Sequence, residues 1–359
     1  MLFKCLSKDS GGNRINKIRE VTRIKKSTIV ILMVMVNIVS LTACGSQKET
    51  SLNTAAKKTT VVDAANEEVT VNVNPKRVAI YETAILDILN TVGFDKTGIE
   101  TLGIAKTEAY LPDYLSQYRD SDKYVNVGDM FEADYDVLDL LQPDLIIGGA
   151  RFGHQDTEGK TLEDVRKRYP DVDYLNFDID MTSKGETYEG DLKRNFKVLG
   201  QVFPGIKDDL DAAMEELSQG FADVREKAGD ARTLFLMIGP GYITFYGPEG
   251  RYSMVYNEFG FTPADSTTDA GGVHGAEVSA EYVKQVNPDI ILLLDRNASF
   301  GEASSVKEFL NNTMIQETNA YKNNNIYELN NNAWYLNTGG LTAARHMIAD
   351  MKQVTENNH

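Results

Sequence analysis

The sequence predicts an α/β protein of two lobes with mainly parallel sheets, joined by one long spine helix, with a ligand cleft between the lobes. Three observations lead to this prediction. Short apolar strands alternate with amphipathic helices from Val69 onwards, which is typical of parallel sheet. One pattern of apolar residues at helical spacing runs from Ile206 to Ala228. One sequence motif also occurs once on each side of that pattern, which indicates two related halves.

The first half contains six predicted elements. Each strand is a short run of apolar residues, and each helix has apolar residues on one face. Gly93 ends the first helix and Pro143 stops the second, because neither residue continues a helix well. The elements are a strand at 77–80, a helix at 83–92, a helix at 135–141, a strand at 144–147, a strand at 173–177 and a helix at 191–201.

The long apolar pattern separates the two halves. Only Gly220 interrupts it, and a helix of this length extends about 35 Å at 1.5 Å per residue. Strand and helix alternation resumes with the predicted strand 233–238. We therefore predict an N-terminal lobe at 67–205, a spine helix at 206–229 and a C-terminal lobe at 230–359.

The two halves share a motif with the same spacing. In each copy an acid precedes a Pro-Asp turn by seven residues, and an arginine follows the proline by eight. The copies are 136–151 and 281–296, and they end at Arg151 and Arg296. Ligands of open parallel sheets bind beyond the carboxyl ends of the strands, so we expect both arginines to face one cleft. The alternative is a repeat with a purely structural role.

The N-terminus has the order of a secretory signal. Residues 17–26 carry five basic residues and one acid, and residues 28–41 are uncharged and largely apolar. The apolar run is shorter than the roughly 20 residues of a membrane-spanning helix. It leads into residues 41–45, Leu-Thr-Ala-Cys-Gly, which resemble the bacterial lipobox. We predict a signal peptide at 1–43 and lipidation of Cys44; the alternative is an uncleaved anchor helix.

The chain after the predicted cleavage site is strongly acidic. It begins with a segment at 44–66 that has little to bury, which we predict to be the lipidated N-terminus and a flexible tether. The first 43 residues hold eight basic and two acidic residues, so the remaining chain has a net charge of −22. This charge argues against binding nucleic acid or an anionic membrane surface. With Cys5 in the leader and Cys44 lipidated, no thiol remains for a disulfide.

Catalytic motifs are absent from the sequence. It has no Gly-x-Gly-x-x-Gly after a strand, no Walker loop, no Gly-x-Ser-x-Gly and no His-Glu-x-x-His. The chain has four histidines, and no pair of carboxylates stands out. We therefore expect a protein that is not an enzyme and has no intrinsic cofactor.

Five motifs, in their order and spacing, resemble the ABC-transporter binding proteins with a single rigid spine helix, which take up iron-siderophore complexes, haem and vitamin B12. The motifs are residues 143–151, 250–252, 272–275, 294–296 and 334–340. The similarity extends from about Val69 to Lys352 and is greatest to the ferric-catecholate-binding lipoproteins of Gram-positive bacteria and the related enterochelin-uptake protein. It implies a monomer, lipid-anchored on the extracellular face of the cell membrane. Such a protein captures ferric catecholate siderophores and delivers them to ABC permease subunits for iron uptake.

The resemblance also implies three ligand-binding arginines. In the family three arginines surround an iron-catecholate, and the matching positions are Arg151, Arg251 and Arg296. Iron(III) bound by three catecholates is a compact trianion, and guanidinium is a planar, permanently charged donor that suits it. For Arg251 the alternative is a solvated loop residue.

Some family members bind the iron directly through a histidine and a tyrosine. The matching positions are His274 and Tyr335. When a siderophore supplies only four oxygens, an imidazole and a phenolate can fill the two remaining octahedral positions. The alternative for Tyr335 is an aromatic wall, formed with Trp334, that stacks on catechol rings.

Two further residues are implied for docking to the permease. In the resembling family an acid on each lobe meets arginines of the permease subunits, and here these acids are Asp136 and Glu281. The alternative is that both merely stabilise the first turns of helices.

Two classes of function remain as alternatives to siderophore capture. One is binding of haem or cobalamin by the same fold, although haem would need an axial ligand facing a flat apolar slot. The other is a sensor or adhesion lipoprotein that does not take part in transport.

Overall fold

The computed structural model describes residues 57–106, 111–152, 162–180, 182, 187–270 and 272–357. The predicted signal peptide and Cys44 lie outside these residues. Within the described part of the chain, no helix has both the length and the apolar character that crossing a membrane requires.

The described chain begins with an antiparallel hairpin of β1 (Lys58–Val62) and β2 (Glu68–Asn72). The prediction of a flexible tether up to residue 66 is therefore wrong for its last part. Val61 and Val71 are buried, and the Asn72 amide donates to the Asp173 carboxylate at 2.7 Å. Two apolar anchors among polar residues are too few to stand out in a sequence, but they suffice to pack a hairpin against a neighbouring sheet.

The N-terminal lobe is built on a five-stranded sheet in which every pair is parallel. The strand order is β5-β4-β3-β6-β7. The strands are β3 (Arg77–Ile80), β4 (Thr101–Ile104), β5 (Val125–Asn126), β6 (Leu145–Gly148) and β7 (Asp173–Asn176). The central strand β3 and its neighbours β4 and β6 are largely buried, as expected when helices cover both faces of a parallel sheet.

The described residues of this lobe form the helices α1 (Thr83–Val92), α2 (Ser116–Arg119), α3 (Tyr135–Leu141), α4 (Leu162–Arg168) and α5 (Tyr188–Val202). Helix α1 has the predicted bounds. The Glu82 side chain caps its start by accepting from the Ala84 amide, and Gly93 ends it with a φ of 111° that glycine adopts readily.

The spine helix α6 spans Lys207–Lys227, or about 32 Å at 1.5 Å per residue. Its buried face contains Leu210, Leu217, Phe221 and Val224, and it packs against α5. The buried apolar residues of the spine helix form one core cluster with part of the buried residues of each lobe, and each lobe also has a smaller cluster of its own.

The C-terminal lobe is built on a second sheet, with the order β11-β9-β8-β12-β13 and with β10 paired to β8. Its strands are β8 (Arg232–Gly239), β9 (Tyr242–Tyr246), β10 (Thr262–Pro263), β11 (Ala276–Val278), β12 (Ile290–Asp295) and β13 (Ile326–Glu328). The pairs of β8 with β10 and β12, and of β12 with β13, are parallel. Residues Gly239-Pro-Gly241 form a tight turn that makes β8 and β9 antiparallel. The α/β fold with mainly parallel sheets is confirmed.

The helices of this lobe follow in order: α7 (Met254–Asn257), α8 (Ala280–Val286), α9 (Arg296–Ser299), α10 (Val306–Leu310), α11 (Thr313–Gln316), α12 (Asn319–Lys322), α13 (Asn331–Tyr335) and α14 (Leu341–Asn357). The last helix, α14, packs against both α1 and the spine helix.

The sequence repeat corresponds to the same local structure in both lobes. Helices α3 and α8 end at Gln142 and Asn287, which have left-handed φ values of 48° and 47°. The aspartate of each Pro-Asp turn then caps the start of a neighbouring strand. Asp144 accepts from the Arg77 amide at 2.9 Å, and Asp289 accepts from the Arg232 amide at 3.1 Å. The acid-to-arginine spacing thus has a structural basis in each lobe.

Two buried carboxylates join parts of the chain that are distant in sequence. Asp87 of α1 accepts from the Thr342 amide at 2.9 Å at the start of α14. Glu258 accepts from the Tyr188 amide at 2.6 Å at the start of α5. Burial raises the pKa of both carboxyls, and the hydrogen bonds from the backbone amides oppose that rise.

Candidate ligand-binding cleft

A cavity of about 620 Å³ lies between the two lobes, beyond the carboxyl ends of β3, β6 and β7. This is where open parallel sheets place their ligands. The N-terminal lobe contributes Glu82, Arg151 and Asp178, which follow β3, β6 and β7 in turn. The C-terminal lobe contributes Arg251 and His274.

Two of the predicted arginines meet at one backbone oxygen. Arg151 and Arg251 come from opposite lobes, and both donate to the carbonyl oxygen of Tyr335, at 2.9 Å and 3.2 Å. Arg151 also reaches the Leu336 carbonyl at 3.5 Å. Both arginines line the cavity, so this part of the predicted arginine set is brought together.

Arg251 is held by a close backbone contact. Its amide donates to the Gly272 carbonyl at 2.9 Å, and Gly250 forms a bridge with Gly272. A Cβ atom at position 250 would lie 2.5 Å from the Ala270 carbonyl oxygen, so the turn needs glycine there. Arg251 is thus a positioned residue and not a freely solvated one.

Arg296 contacts the other end of Tyr335. Its Nε donates to the Tyr335 hydroxyl at 3.1 Å, and its guanidinium lies 5.2 Å from the centre of the Phe300 ring. All three arginines therefore contact Tyr335. The described residues that line the cavity include Arg151 and Arg251, but neither Arg296 nor Tyr335.

His274 lies in the cavity wall on an exposed loop. Gly272 and Gly275 flank this loop with left-handed φ values of 78° and 65°. The Tyr335 hydroxyl accepts from Arg296. The prediction that His274 and Tyr335 together bind iron stays a prediction.

The prediction that Trp334 contacts the ligand is wrong, because its side chain is 0% exposed. Its indole Nε1 donates to Asp350 of α14 at 2.8 Å. The ring packs against Phe235, Tyr252 and Phe259, with centroids 5.7–6.3 Å apart. Adjacent residues of a helix point about 100° apart, so α13 turns Trp334 into the core and Tyr335 towards the arginines.

Replacing Trp334 with alanine should lower the free energy of unfolding by about 3–5 kcal/mol, because it leaves a large cavity in the core and removes one of the hydrogen bonds that Asp350 accepts. Urea denaturation followed by circular dichroism measures this loss. Tyr335→Phe is the matched control and should cost under about 1 kcal/mol. A loss of that small size for Trp334→Ala would contradict the assignment of Trp334 to the core.

Three carboxylates in the cavity wall were missed from the sequence: Glu82, Asp178 and Asp180. Burial raises the pKa of Glu82 to about 7, although the nearby Arg151 charge opposes the rise. Burial also raises the pKa of Asp178. Glu82 and Asp178 each follow a predicted strand of a parallel sheet. Ligands bind beyond the carboxyl ends of such strands, so this position in the sequence could have indicated both residues as site candidates.

The two predicted docking acids occupy equivalent positions. Asp136 lies in the first turn of α3 and Glu281 in the first turn of α8. Both side chains are exposed. Their role in docking stays a prediction.

Comparison with known families assigns the fold. The sequence model of the family described as "periplasmic binding protein" matches residues 78–333. The chain belongs to this family. The match spans both lobes of this periplasmic binding protein, and it confirms the relationship expected from the five motifs.

Three relatives have informative names. The petrobactin-binding protein YclQ of Bacillus subtilis is 32% identical over 92% of this chain and 99% of its own length, and its crystal structure gives a TM-score of 0.72. The catecholate-siderophore binding protein VctP of Vibrio cholerae is 28% identical, with a TM-score of 0.71 over 83% of this chain and 100% of its own. The iron uptake ABC transporter substrate-binding protein PiuA of Streptococcus pneumoniae is 27% identical, with a TM-score of 0.70 over 84% of this chain and 100% of its own.

Proposed function

We propose that this periplasmic binding protein captures ferric siderophores of the catecholate class and delivers them to an ABC permease for iron uptake. The observation that carries the proposal is the meeting of Arg151 and Arg251 from opposite lobes in one cavity. The named relatives bind petrobactin or a catecholate siderophore, or serve iron uptake, which supports the same ligand class. The iron complex is then a ligand and not a resident cofactor.

The arginine pair retains donors for an anion. Guanidinium carries five N–H donors in a fixed plane. Arg251 uses one terminal nitrogen on the Tyr335 carbonyl and Arg151 uses two on neighbouring carbonyls. The remaining donors can bind the oxygens of an iron chelate, and the shared carbonyl fixes the orientation of both side chains before the ligand arrives.

The same proposal includes the place of the protein in the cell. We expect lipid anchoring at Cys44 on the extracellular face of the membrane, a monomeric state and contact with the permease subunits through Asp136 and Glu281. The chain after residue 43 is strongly acidic, so its surface charge does not attract it to an anionic bilayer. A lipid anchor would supply the membrane contact instead.

Fluorescence quenching of the chain from residue 45 onwards tests the ligand class. Trp334 is the one tryptophan of the sequence, so it provides the fluorescence signal. It is next to Tyr335, whose carbonyl accepts from Arg151 and Arg251. Ferric catecholate, ferric hydroxamate, haemin and cobalamin should be compared. We expect a Kd at least about tenfold lower for ferric catecholate than for the other three, because those ligands present less negative charge to the arginines. Tighter binding of haemin or cobalamin would contradict the proposal.

A further inference from the structure

The charge of the cavity wall does not match a purely anionic ligand. Arg151 and Arg251 face the cavity together with three carboxylates, Glu82, Asp178 and Asp180. Even if Arg296 is counted, the positive and negative charges of the described lining residues only balance. A compact trianion brought beside these acids would be repelled by them, so the arginines alone do not explain the cavity.

The structure fixes both of the buried acids in place. The Glu82 carboxylate accepts from the Ala84 amide at 3.1 Å at the start of α1. A Cβ atom at Gly149 would clash with the same carboxylate, so the glycine leaves room for it at the end of β6. The Asp178 carboxylate accepts from the Ile179 amide at 2.8 Å.

Neighbouring residues restrain Asp178 further and satisfy Asp180. The Asp178 carbonyl accepts from Arg194 at 2.6 Å and from Asn195 at 3.2 Å, which holds the backbone at this position. Asp180 accepts from both the amide and the hydroxyl of Thr182, so its hydrogen bonds are local. Glu82 and Asp178 are therefore the acids best placed to bind a ligand.

In the part of the chain that the structure describes, no cation is bonded directly to the carboxylate of Glu82 or Asp178. Arg151 acts on both through space while it donates to the Tyr335 carbonyl. Asp178 raises the pKa of Glu82, and Asp180 raises that of Asp178, whereas Arg194 lowers that of Asp178. Buried carboxylates without a cation are unfavourable, and a cationic group on the ligand would relieve that cost.

The geometry points to a ligand of mixed charge. We propose that the anionic iron-chelate part contacts Arg151 and Arg251, and that a protonated amine of the same siderophore contacts Glu82 and Asp178. The inference rests on the proposed function and narrows its substrate class to ferric siderophores with an amine near the chelate. Ammonium-carboxylate hydrogen bonds are charge-assisted and therefore discriminate strongly against a neutral isostere.

Two synthetic probes test the inference. Both are ferric complexes of one bis(catecholamide), with a secondary amine in the linker of the first and the same nitrogen acetylated in the second. We expect the chain from residue 45 onwards to bind the amine probe at least about tenfold more tightly. In the double variant Glu82→Gln, Asp178→Asn this preference should fall below about threefold. The replacements keep the shape of both side chains, and melting curves should show that the variant folds.

A charge-matched control is needed because the whole protein is acidic and attracts any cation. The double variant Glu100→Gln, Glu356→Gln removes two exposed acids outside the cavity and should keep the preference. Equal binding of both probes by the unmodified protein, or a preference that survives in the cavity variant, would overturn the inference and leave siderophore capture intact. Failure of both probes to bind would overturn both proposals.

The pH dependence gives an independent readout. Glu82 must be ionised to bind an ammonium group. Its pKa is about 7, so Glu82 is mostly protonated at pH 6, and binding of the amine probe at that pH should release its proton. Affinity for the amine probe, relative to that of Glu82→Gln, should then rise about tenfold from pH 6 to pH 8. A fall over this range would mean that protonated Glu82 donates to the chelate, which would overturn the inference.

Discussion

The double variant Arg151→Ala, Arg251→Ala should bind ferric catecholate about two to four orders of magnitude more weakly than the unmodified protein. Each arginine offers charge-assisted hydrogen bonds, and losing those of one arginine costs about 1.5–3 kcal/mol. For Arg251→Ala alone we expect a loss within this range. Quenching titrations of the two single variants and the double variant measure these losses and any coupling between the sites.

The two arginines share one acceptor, so their effects should not simply add. Removing one guanidinium leaves the other bonded to the Tyr335 carbonyl, and a single variant should retain part of the binding. Arg168→Ala, Arg345→Ala is the control with the same change in net charge, because both side chains are exposed and form ion pairs outside the cavity. A double cavity variant that binds within threefold of the unmodified protein would rule out the arginine pair as the chelate site.

The fold could be predicted largely from local signals. Gly93 ends α1 where the sequence places the end, and the two Pro-Asp turns begin buried strands as expected. These signals are local because backbone conformation and capping involve neighbouring residues. The hairpin of β1 and β2 was missed, since it is held by contacts with β7, about 100 residues further along the chain.

The site could be predicted only in part, and the reason is geometric. Arg151 lies shortly after a strand of the parallel sheet, and the family motifs add Arg251. Neither signal says which way a side chain on a short helix points, and so Trp334 was wrongly assigned to the cleft. Glu82 was overlooked because an acid just before a helix is ordinarily explained as a helix cap. Glu82 does cap α1, but it also lines the cavity.

The double variant Asp136→Ala, Glu281→Ala should abolish siderophore-dependent iron uptake in cells that have no other copy of the protein. The two acids occupy the exposed first turns of α3 and α8, which are the same structural unit in the two lobes. A permease that contacts both lobes would then meet one carboxylate on each. Ligand affinity should stay within about twofold, because neither acid lines the cavity. Uptake of radioactive iron as the ferric catecholate measures the first effect, and quenching titration measures the second.

The competing explanation is that these acids only stabilise their helices. An acid in a first turn contributes about 0.3–1 kcal/mol through the helix dipole, so the double variant should lose at most a few degrees of Tm on this account. Glu163→Ala, Asp208→Ala is the matched control, since both are exposed acids in the first turns of α4 and α6. If docking is specific, the control loses similar stability but transports iron normally. Normal uptake by the Asp136→Ala, Glu281→Ala protein, or an equal loss of uptake in the control, would refute the docking role.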